Sequence, residues 1–266
     1  MSPRFGVVGL GRMAQALLRP WFDLGLLPAD QVRAVVASEA SVQRLASHWP
    51  CPLSTDAAAA WSADVVLLAV KPQQLQAVAA AVAAAPAAPG RLLVSVLAGV
   101  SLARLEALFP GWRCVRAVPN TPALVRAGLT GLAYGAAVEP HERQWLESLF
   151  AAVGQVLPLP EAQLDGFLAL TSSGPAFVAV VAEAMADGAV AAGLPRDLAL
   201  QLVPRTLAGT AALLEQQQLH PAQLKDMVSS PAGTTIAGLR QLERAGLRAA
   251  LIEAVVAAAE RSRALG

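Results

Sequence analysis

Lysine is almost missing from this 266-residue chain: Lys71 and Lys225 are the only two, and arginine carries nearly all of the positive charge. Charge of either sign is scarce, at 15% of residues against 55% hydrophobic, and the formal net charge is +1. Such a balance offers no basic face to nucleic acid or to an anionic membrane, so neither is an expected partner. The shortage of charge also points to helix surface buried against another subunit. Cysteine is limited to Cys51 and Cys114, without CxxC spacing, which reads as two reduced core thiols. His48, His141 and His220 are scattered, so no metal site is expected. The chain opens without a signal peptide, because the apolar stretch Phe5 to Leu10 is short and broken by glycine. No uncharged run has the length and residues of a membrane span, and the Ala-rich stretch 77–89 is interrupted by Pro86 and Pro89. A soluble, cytoplasmic protein is the expectation.

What is present begins at the N-terminus. Phe5-Gly-Val-Val-Gly9 reads as a buried strand, and Gly9-Leu-Gly-Arg-Met-Ala14 follows at once, a GxGxxA pattern opening a helix from about Arg12 to Phe22. In a dinucleotide fold Gly9 permits the tight turn, Gly11 lets the backbone approach a pyrophosphate, and Ala14 lets helix and strand pack closely. The alternative is a Gly-rich turn that binds nothing. A second strand, Val32 to Ala37, ends at Ser38 and Glu39. An NAD site places an acid at this point for the ribose hydroxyls. Ser38 tolerates a 2′-phosphate, whereas an inward Glu39 repels one, so the balance leans mildly to NADP with NADH open.

Further strands are expected over 63–70, 92–97 and 114–118, with 129–134 and 155–159 as short edge strands around a helix at 140–153 that Gly154 terminates. Lys71 follows the first of these and faces either a phosphate or solvent. Helices are expected over 73–85 and after the cap Ser101, and Asn120 and Thr121 in the turn Pro119-Asn-Thr-Pro122 are expected to project into the crevice. Alternating strands and helices give an α/β fold, an N-terminal Rossmann-type doubly wound parallel sheet over residues 1–158. From 159 to 266 the pattern becomes all-α, with helices at 177–192, 196–217, 221–228, 235–245 and 247–265. The helix at 177–192 is apolar on nearly every side, which marks it as buried all round and the region as a dimerisation domain of an intertwined dimer.

Within that region lies the loop Lys225-Asp-Met-Val-Ser-Ser-Pro-Ala-Gly-Thr-Thr235, with a helix starting at about Thr234. The N–H groups of Gly233, Thr234 and Thr235 are expected to point at one spot, where the positive end of the helix dipole makes an anion site. An ordinary helix start with nothing bound is the competing reading.

Seven segments in this order, GLGRMA from Gly9, AVKP at 69–72, LAGVS at 97–101, PNTPALV at 119–125, SSGPAF at 172–177, EAMADGAV at 183–190 and HPAQLKDMVSSPAGTT at 220–235, cover essentially the whole chain. In these the chain resembles pyrroline-5-carboxylate reductase, the last enzyme of proline biosynthesis. Three departures stand out: Ala232 replaces the first glycine of the usual SPGGTT, and Ser172 and Phe177 replace Gly and Tyr of SGSGPAY.

The resemblance implies NADPH, with NADH possible, transferring hydride to the imine carbon of 1-pyrroline-5-carboxylate. It implies cofactor contacts from Val8, Gly9, Leu10, Gly11, Arg12, Met13, Ser38, Ala69, Val70, Lys71, Pro72, Leu97, Ala98 and Asn120. It implies substrate contacts from Gly233, Thr234, Thr235 and Glu161, with Thr235 as the catalytic donor to the ring nitrogen and Glu161 facing that nitrogen. A homodimer or higher homo-oligomer, a decamer included, goes with it. Two rivals remain in view. A 3-hydroxyacid dehydrogenase of the 6-phosphogluconate dehydrogenase type shares the plan but needs a lysine on the second domain, and none occurs between 72 and 224. A non-catalytic NAD(P)-binding regulator is the other.

Overall fold

The computed structural model describes residues 3–83 and 90–265. The end of the expected helix 73–85, with Pro86 and Pro89, lies outside the described residues. The rest falls into two compact units: Met1–Ser172 with Ala258–Gly266, and Ser173–Ala257.

The first unit is built on one eight-stranded sheet. β1 (Phe5–Val8), β4 (Val65–Leu68) and β5 (Leu92–Ser95) are four-residue strands, apolar but for Ser95 and buried at every position, as strands covered by helices on both faces must be. With β2 (Val32–Val35), β3 (Leu53–Ser54), β6 (Arg113–Val118), β7 (Gly128–Tyr134) and β8 (Gly154–Pro158), the order across the sheet is β3-β2-β1-β4-β5-β6-β7-β8. The strand order reverses at β1, which pairs with β2 on one side and β4 on the other, Phe5 lying beside both Val32 and Val65. Such a reversal opens a crevice beyond the carboxyl ends of the strands.

One pair departs from the parallel expectation: β6 and β7 are antiparallel. The nine residues between Val118 and Gly128 hold only the short 3-10 turn Thr121–Val125, and a parallel return needs a crossover of about a dozen residues or more. β7 is also an inner strand rather than an edge, with β8 pairing along its far side.

Helices cover both faces. α1 (Arg12–Asp23) buries Trp21, whose indole N–H donates to the Leu149 carbonyl at 2.7 Å and whose ring meets Phe150 edge-on at 5.3 Å. Phe150 comes from α6 (Pro140–Ala151). On the other face α3 (Ala57–Trp61) sets Trp61 flat on Phe109 at 5.5 Å. α2 (Glu39–Ala46), α4 (Leu75–Ala83), α5 (Leu102–Leu108) and α7 (Leu164–Thr171) complete this unit's cover. Cys51 and Cys114 are free and buried, and burial pushes their thiols up to about 11 and about 12, as inert core residues require.

The second unit is helical: α8 (Gly174–Ala191), α9 (Arg196–Gln216), α10 (Pro221–Met227), α11 (Thr234–Arg244) and the larger part of α12 (Leu247–Arg263). Its own core is the α8–α9 seam, where Ala186, Ala199 and Val203 are buried. The expectation that α8 is buried all round does not hold within one chain, since Val178, Val180 and Met185 are exposed.

Candidate active site

At the reversal point the first unit contains a crevice of about 520 Å³. Its floor is the turn after β1. Gly9 has φ +93°, and a Cβ there would fall 2.8 Å from the Ala69 carbonyl oxygen, so the turn passes close to the chain end of β4 only because residue 9 lacks a side chain. Gly11 starts α1 without any side-chain cap, and a Cβ placed on it meets nothing within 4 Å. The uncapped N–H groups of the first turn and the open space above Gly11 fit a pyrophosphate.

The crevice brings together Val8, Gly9, Leu10, Gly11, Ala69, Val70 and Lys71 from the expected cofactor set. Arg12, Met13, Ser38, Pro72, Leu97, Ala98 and Asn120 are not among its lining. Two of these have assigned structural work. Leu97 is buried in the core beneath and its N–H donates to Ser95 Oγ at 3.3 Å. Ser38 caps α2, accepting from the Ser41 N–H at 3.3 Å.

Asn120 does not project into the crevice as expected. It is 5% exposed, its Oδ1 accepts from the Leu129 N–H at 2.8 Å, and its Nδ2 donates to the Thr171 carbonyl at 3.0 Å. Together with Ser172 Oγ, which donates to the Pro119 carbonyl at 3.1 Å, it pins the turn after β6 to the end of α7. A short polar side chain beside a proline turn is as able to tie backbone as to meet a ligand, and here the buried backbone groups claim it.

Sequence reasoning noted Arg44 only as lying on the next helix and passed over Ser41 and Thr55 at the far end of the crevice. Ser41, Arg44 and Thr55 line it, along with Trp61, whose buried indole N–H finds no partner among the described residues. Arg44 is exposed on α2, and no ion pair engages it among the described residues. The clue available in the sequence was helical spacing: residues 38, 41 and 44 recur every third position and share a face. Glu39 is not among the lining, and its Oε1 accepts from Thr55 Oγ1 at 2.6 Å. A hydroxyl and a free guanidinium in place of a carboxylate suit a 2′-phosphate.

Glu161 is held by protein groups. Its Oε1 accepts from the Leu102 N–H at 2.7 Å, at the start of α5, and from Arg116 Nη1 at 3.3 Å. Arg116 is 3% exposed and also bonds Asp165 at 3.0 Å, and Asp165 in turn accepts from Ser262 Oγ at 2.7 Å. This buried network ties the start of α5, the start of α7 and the end of α12 to the sheet. A guanidinium this buried needs carboxylate partners, because leaving it unpaired is costly.

In the second unit α11 begins at Thr234, as expected, with Gly233 as N-cap and no side-chain cap. The N–H of Gly233 is not free: it donates to the Ser230 carbonyl at 3.1 Å. Those of Thr234 and Thr235, in the first turn, have no acceptor among the described residues. Thr235 is half-buried and Thr234 exposed, and neither hydroxyl has a partner among the described residues. Ser229 Oγ donates to the Lys225 carbonyl at 2.6 Å, which closes the loop onto α10. Lys225 is paired with Asp226. The loop therefore offers uncapped N–H groups and a hydroxyl, suited to a carboxylate and to a neutral hydrogen-bond donor role.

Comparison with known proteins agrees with these two halves. A sequence model described as pyrroline-5-carboxylate reductase dimerisation matches residues 161–265, and one described as NADP oxidoreductase, coenzyme F420-dependent, matches residues 4–99. A pyrroline-5-carboxylate reductase of Synechocystis is 43% identical over 100% of this chain and 99% of its own length. The solved enzyme of Coxiella burnetii superposes with a TM-score of 0.87 at 30% identity, covering 100% of this chain and 99% of that one. That of Plasmodium falciparum, solved with NADP bound, superposes with a TM-score of 0.88 at 25% identity, covering 100% and 98%. Full-length identity of this order, over the same order of motifs, means that the chain belongs to the pyrroline-5-carboxylate reductase family.

Proposed function

We propose that the chain reduces 1-pyrroline-5-carboxylate to L-proline with NADPH, the last step of proline biosynthesis. In functional terms residues 1–158 hold the dinucleotide and 159–266 supply the substrate loop and the dimer. The observation that carries this reading is the loop before α11, a helix start without a side-chain cap, beside a half-buried threonine hydroxyl. One carboxylate on a small ring matches the Thr234 and Thr235 N–H groups.

NADPH bound in the crevice supplies a hydride to the imine carbon. The protein's own residues position and stabilise. The turn at Gly9 and Gly11 would hold the pyrophosphate, and Ser41 and Arg44, with Lys71 on the same lining, would hold the phosphates. The loop fixes the substrate carboxylate, and the Thr235 hydroxyl hydrogen-bonds the ring nitrogen as the imine becomes an amine. The proton that balances the hydride comes from solvent by way of this hydroxyl, which gives its own proton to the nitrogen as it takes one from water. With Lys225 paired to Asp226, no stronger acid is free in the loop.

We place the enzyme in the cytoplasm, without nucleic-acid or membrane partners, as a homodimer, with a decamer as the larger alternative that light scattering separates. The stretch Glu161–Ala191 is long and apolar enough to cross a membrane by composition alone. It is broken between α7 and α8, and it falls within the matched dimerisation region, so we assign its apolar surface to the second copy.

One assay tests the activity: NADPH oxidation in the presence of 1-pyrroline-5-carboxylate, with proline identified as product. NADPH binding without turnover would favour a regulator instead. Oxidation of a 3-hydroxyacid would favour the other dehydrogenase class, which the absence of lysine between 72 and 224 argues against.

A further inference from the structure

The adenosine end of the crevice holds an arrangement that the overall activity does not explain. Glu39 is the first residue of α2, one position beyond Ser38, where a carboxylate in a dinucleotide fold would reach for ribose hydroxyls. It does not line the crevice, whereas Thr55 does, with Ser41 and Arg44. Thr55 follows β3, on the neighbouring strand, and its Oγ1 donates to Glu39 Oε1 at 2.6 Å. Among the described residues Glu39 makes no other side-chain hydrogen bond or ion pair. Ser38, the N-cap of α2, is occupied with Ser41, the two oxygens lying 3.1 Å apart.

We propose that Thr55 is a specificity-determining residue: by holding the Glu39 carboxylate, it keeps the end of the crevice lined by Ser41 and Arg44 open to a 2′-phosphate and so selects NADPH over NADH. This rests on the NADPH reading above. The physical reason is charge. A phosphate near −2 and a carboxylate repel at close range, and the repulsion falls as the carboxylate is held back. Released, the Glu39 side chain is free to swing over the crevice, where it opposes the phosphate and accepts from ribose hydroxyls instead. The geometry therefore stores the preference for one dinucleotide in a single hydroxyl on the adjacent strand, away from the Gly-rich turn that grips both.

The test uses the full-length protein with Thr55→Val, which keeps the shape and removes the donor, Glu39→Gln, and the double variant. Binding of NADPH, NADH, 2′,5′-ADP and 5′-AMP is measured by calorimetry at low and high salt. Thr55→Val is expected to weaken NADPH and 2′,5′-ADP about fivefold at low salt, with NADH and 5′-AMP changed by less than about twofold and the loss shrinking as salt is added. The double variant, lacking the carboxylate charge, is expected to recover NADPH binding. Equal weakening of all four ligands, or no recovery in the double variant, would show that the bond only ties β3 to α2, and would overturn the proposal. Wild-type protein that binds none of the four would overturn the cofactor reading along with it. Wild-type binding with an unchanged NADPH-to-NADH ratio in Thr55→Val would overturn the Thr55 role alone.

Discussion

The two compact units bury their apolar residues in opposite ways. The nucleotide unit hides Phe5, Trp21, Phe109 and Phe150 completely, and lays them on both faces of a sheet whose central strands are buried at every position. The unit Ser173–Ala257 has one aromatic residue, Phe177, and among its described residues only Ala186, Ala199, Val203 and Leu224 are buried hydrophobics. Its exposed residues include Val178, Val180, Leu200, Ile252 and Val256. A unit of this size with so little core is not stable by itself. The first unit has its own core, while the second leaves much of its apolar surface uncovered within one chain. Its apolar surface is an interface, consistent with the dimerisation region matched over 161–265, and its stability depends on protein concentration.

The comparison breaks most severely if charge is placed on the unfinished unit. Val180 lies on α8 and is 66% exposed in the single chain. In a dimer that covers α8, Val180→Asp buries an unpaired carboxylate in each copy, at a cost of several kcal/mol. The dimer dissociation constant should rise by about a thousandfold or more. Light scattering at micromolar concentration checks this, and NADPH titration checks that the nucleotide unit survives. An intact dimer would mean that this face of α8 looks into solvent.

A change in the finished unit should do the reverse, sparing the fold and striking the ligand. Gly11→Val adds a side chain where a Cβ meets nothing within 4 Å, so the sheet and α1 should stand. The new side chain occupies the approach of the pyrophosphate, and NADPH affinity should fall by about tenfold or more. Calorimetry with unchanged affinity in a folded variant would remove the turn from the cofactor site.

The same contrast explains how much could be read from sequence. Runs such as Val65–Leu68 and the GxGxxA turn carry their fold locally, in period, glycine placement and length, and each appears where the pattern put it. The helices of the second unit were equally legible, because caps and prolines bound them: Pro221 opens α10 and Gly233 precedes α11. What was not legible depends on partners far along the chain. Asn120 waits for Thr171, and Arg116 claims Glu161, Asp165 and, through it, Ser262. No local signal distinguishes a polar side chain that meets a ligand from one that ties backbone. The antiparallel turn of β7 follows from a count of connecting residues and was open to inference, whereas the Glu39 rotamer set by Thr55 was not.

Thr235 and Thr234 sharpen the comparison inside the second unit, because one hydroxyl is half-buried and the other exposed. If Thr235 supports the developing charge, Thr235→Ala should lower kcat by about tenfold, near 1.4 kcal/mol, with a smaller change in substrate KM. Thr234→Ala should change little. Gly233 is the N-cap and no side chain caps α11, so the Thr234 hydroxyl has no cap role to lose. Steady-state kinetics with 1-pyrroline-5-carboxylate separate the outcomes. A rise in KM alone for Thr235→Ala would make it a binding group and leave protonation to water.

The smallest effect is expected at Ala232, the position where this chain departs from the family's glycine. Its φ is +56°, in the left-handed region, which costs a residue with a Cβ about 1 kcal/mol. Glycine relieves that strain, but it also enlarges the freedom of the unfolded chain by a similar amount. Ala232→Gly should therefore shift stability by less than about 1 kcal/mol and leave turnover within about twofold. Ala232→Val is the informative opposite, since a β-branched side chain is a true outlier at positive φ and must pull the loop away from this conformation. It should raise substrate KM more than it lowers the melting temperature, because the loop is exposed while the N–H groups it sets are the proposed anion site. Equal losses in both, measured by calorimetry and kinetics at fixed protein concentration, would mean that the loop serves the helical unit's stability rather than the substrate.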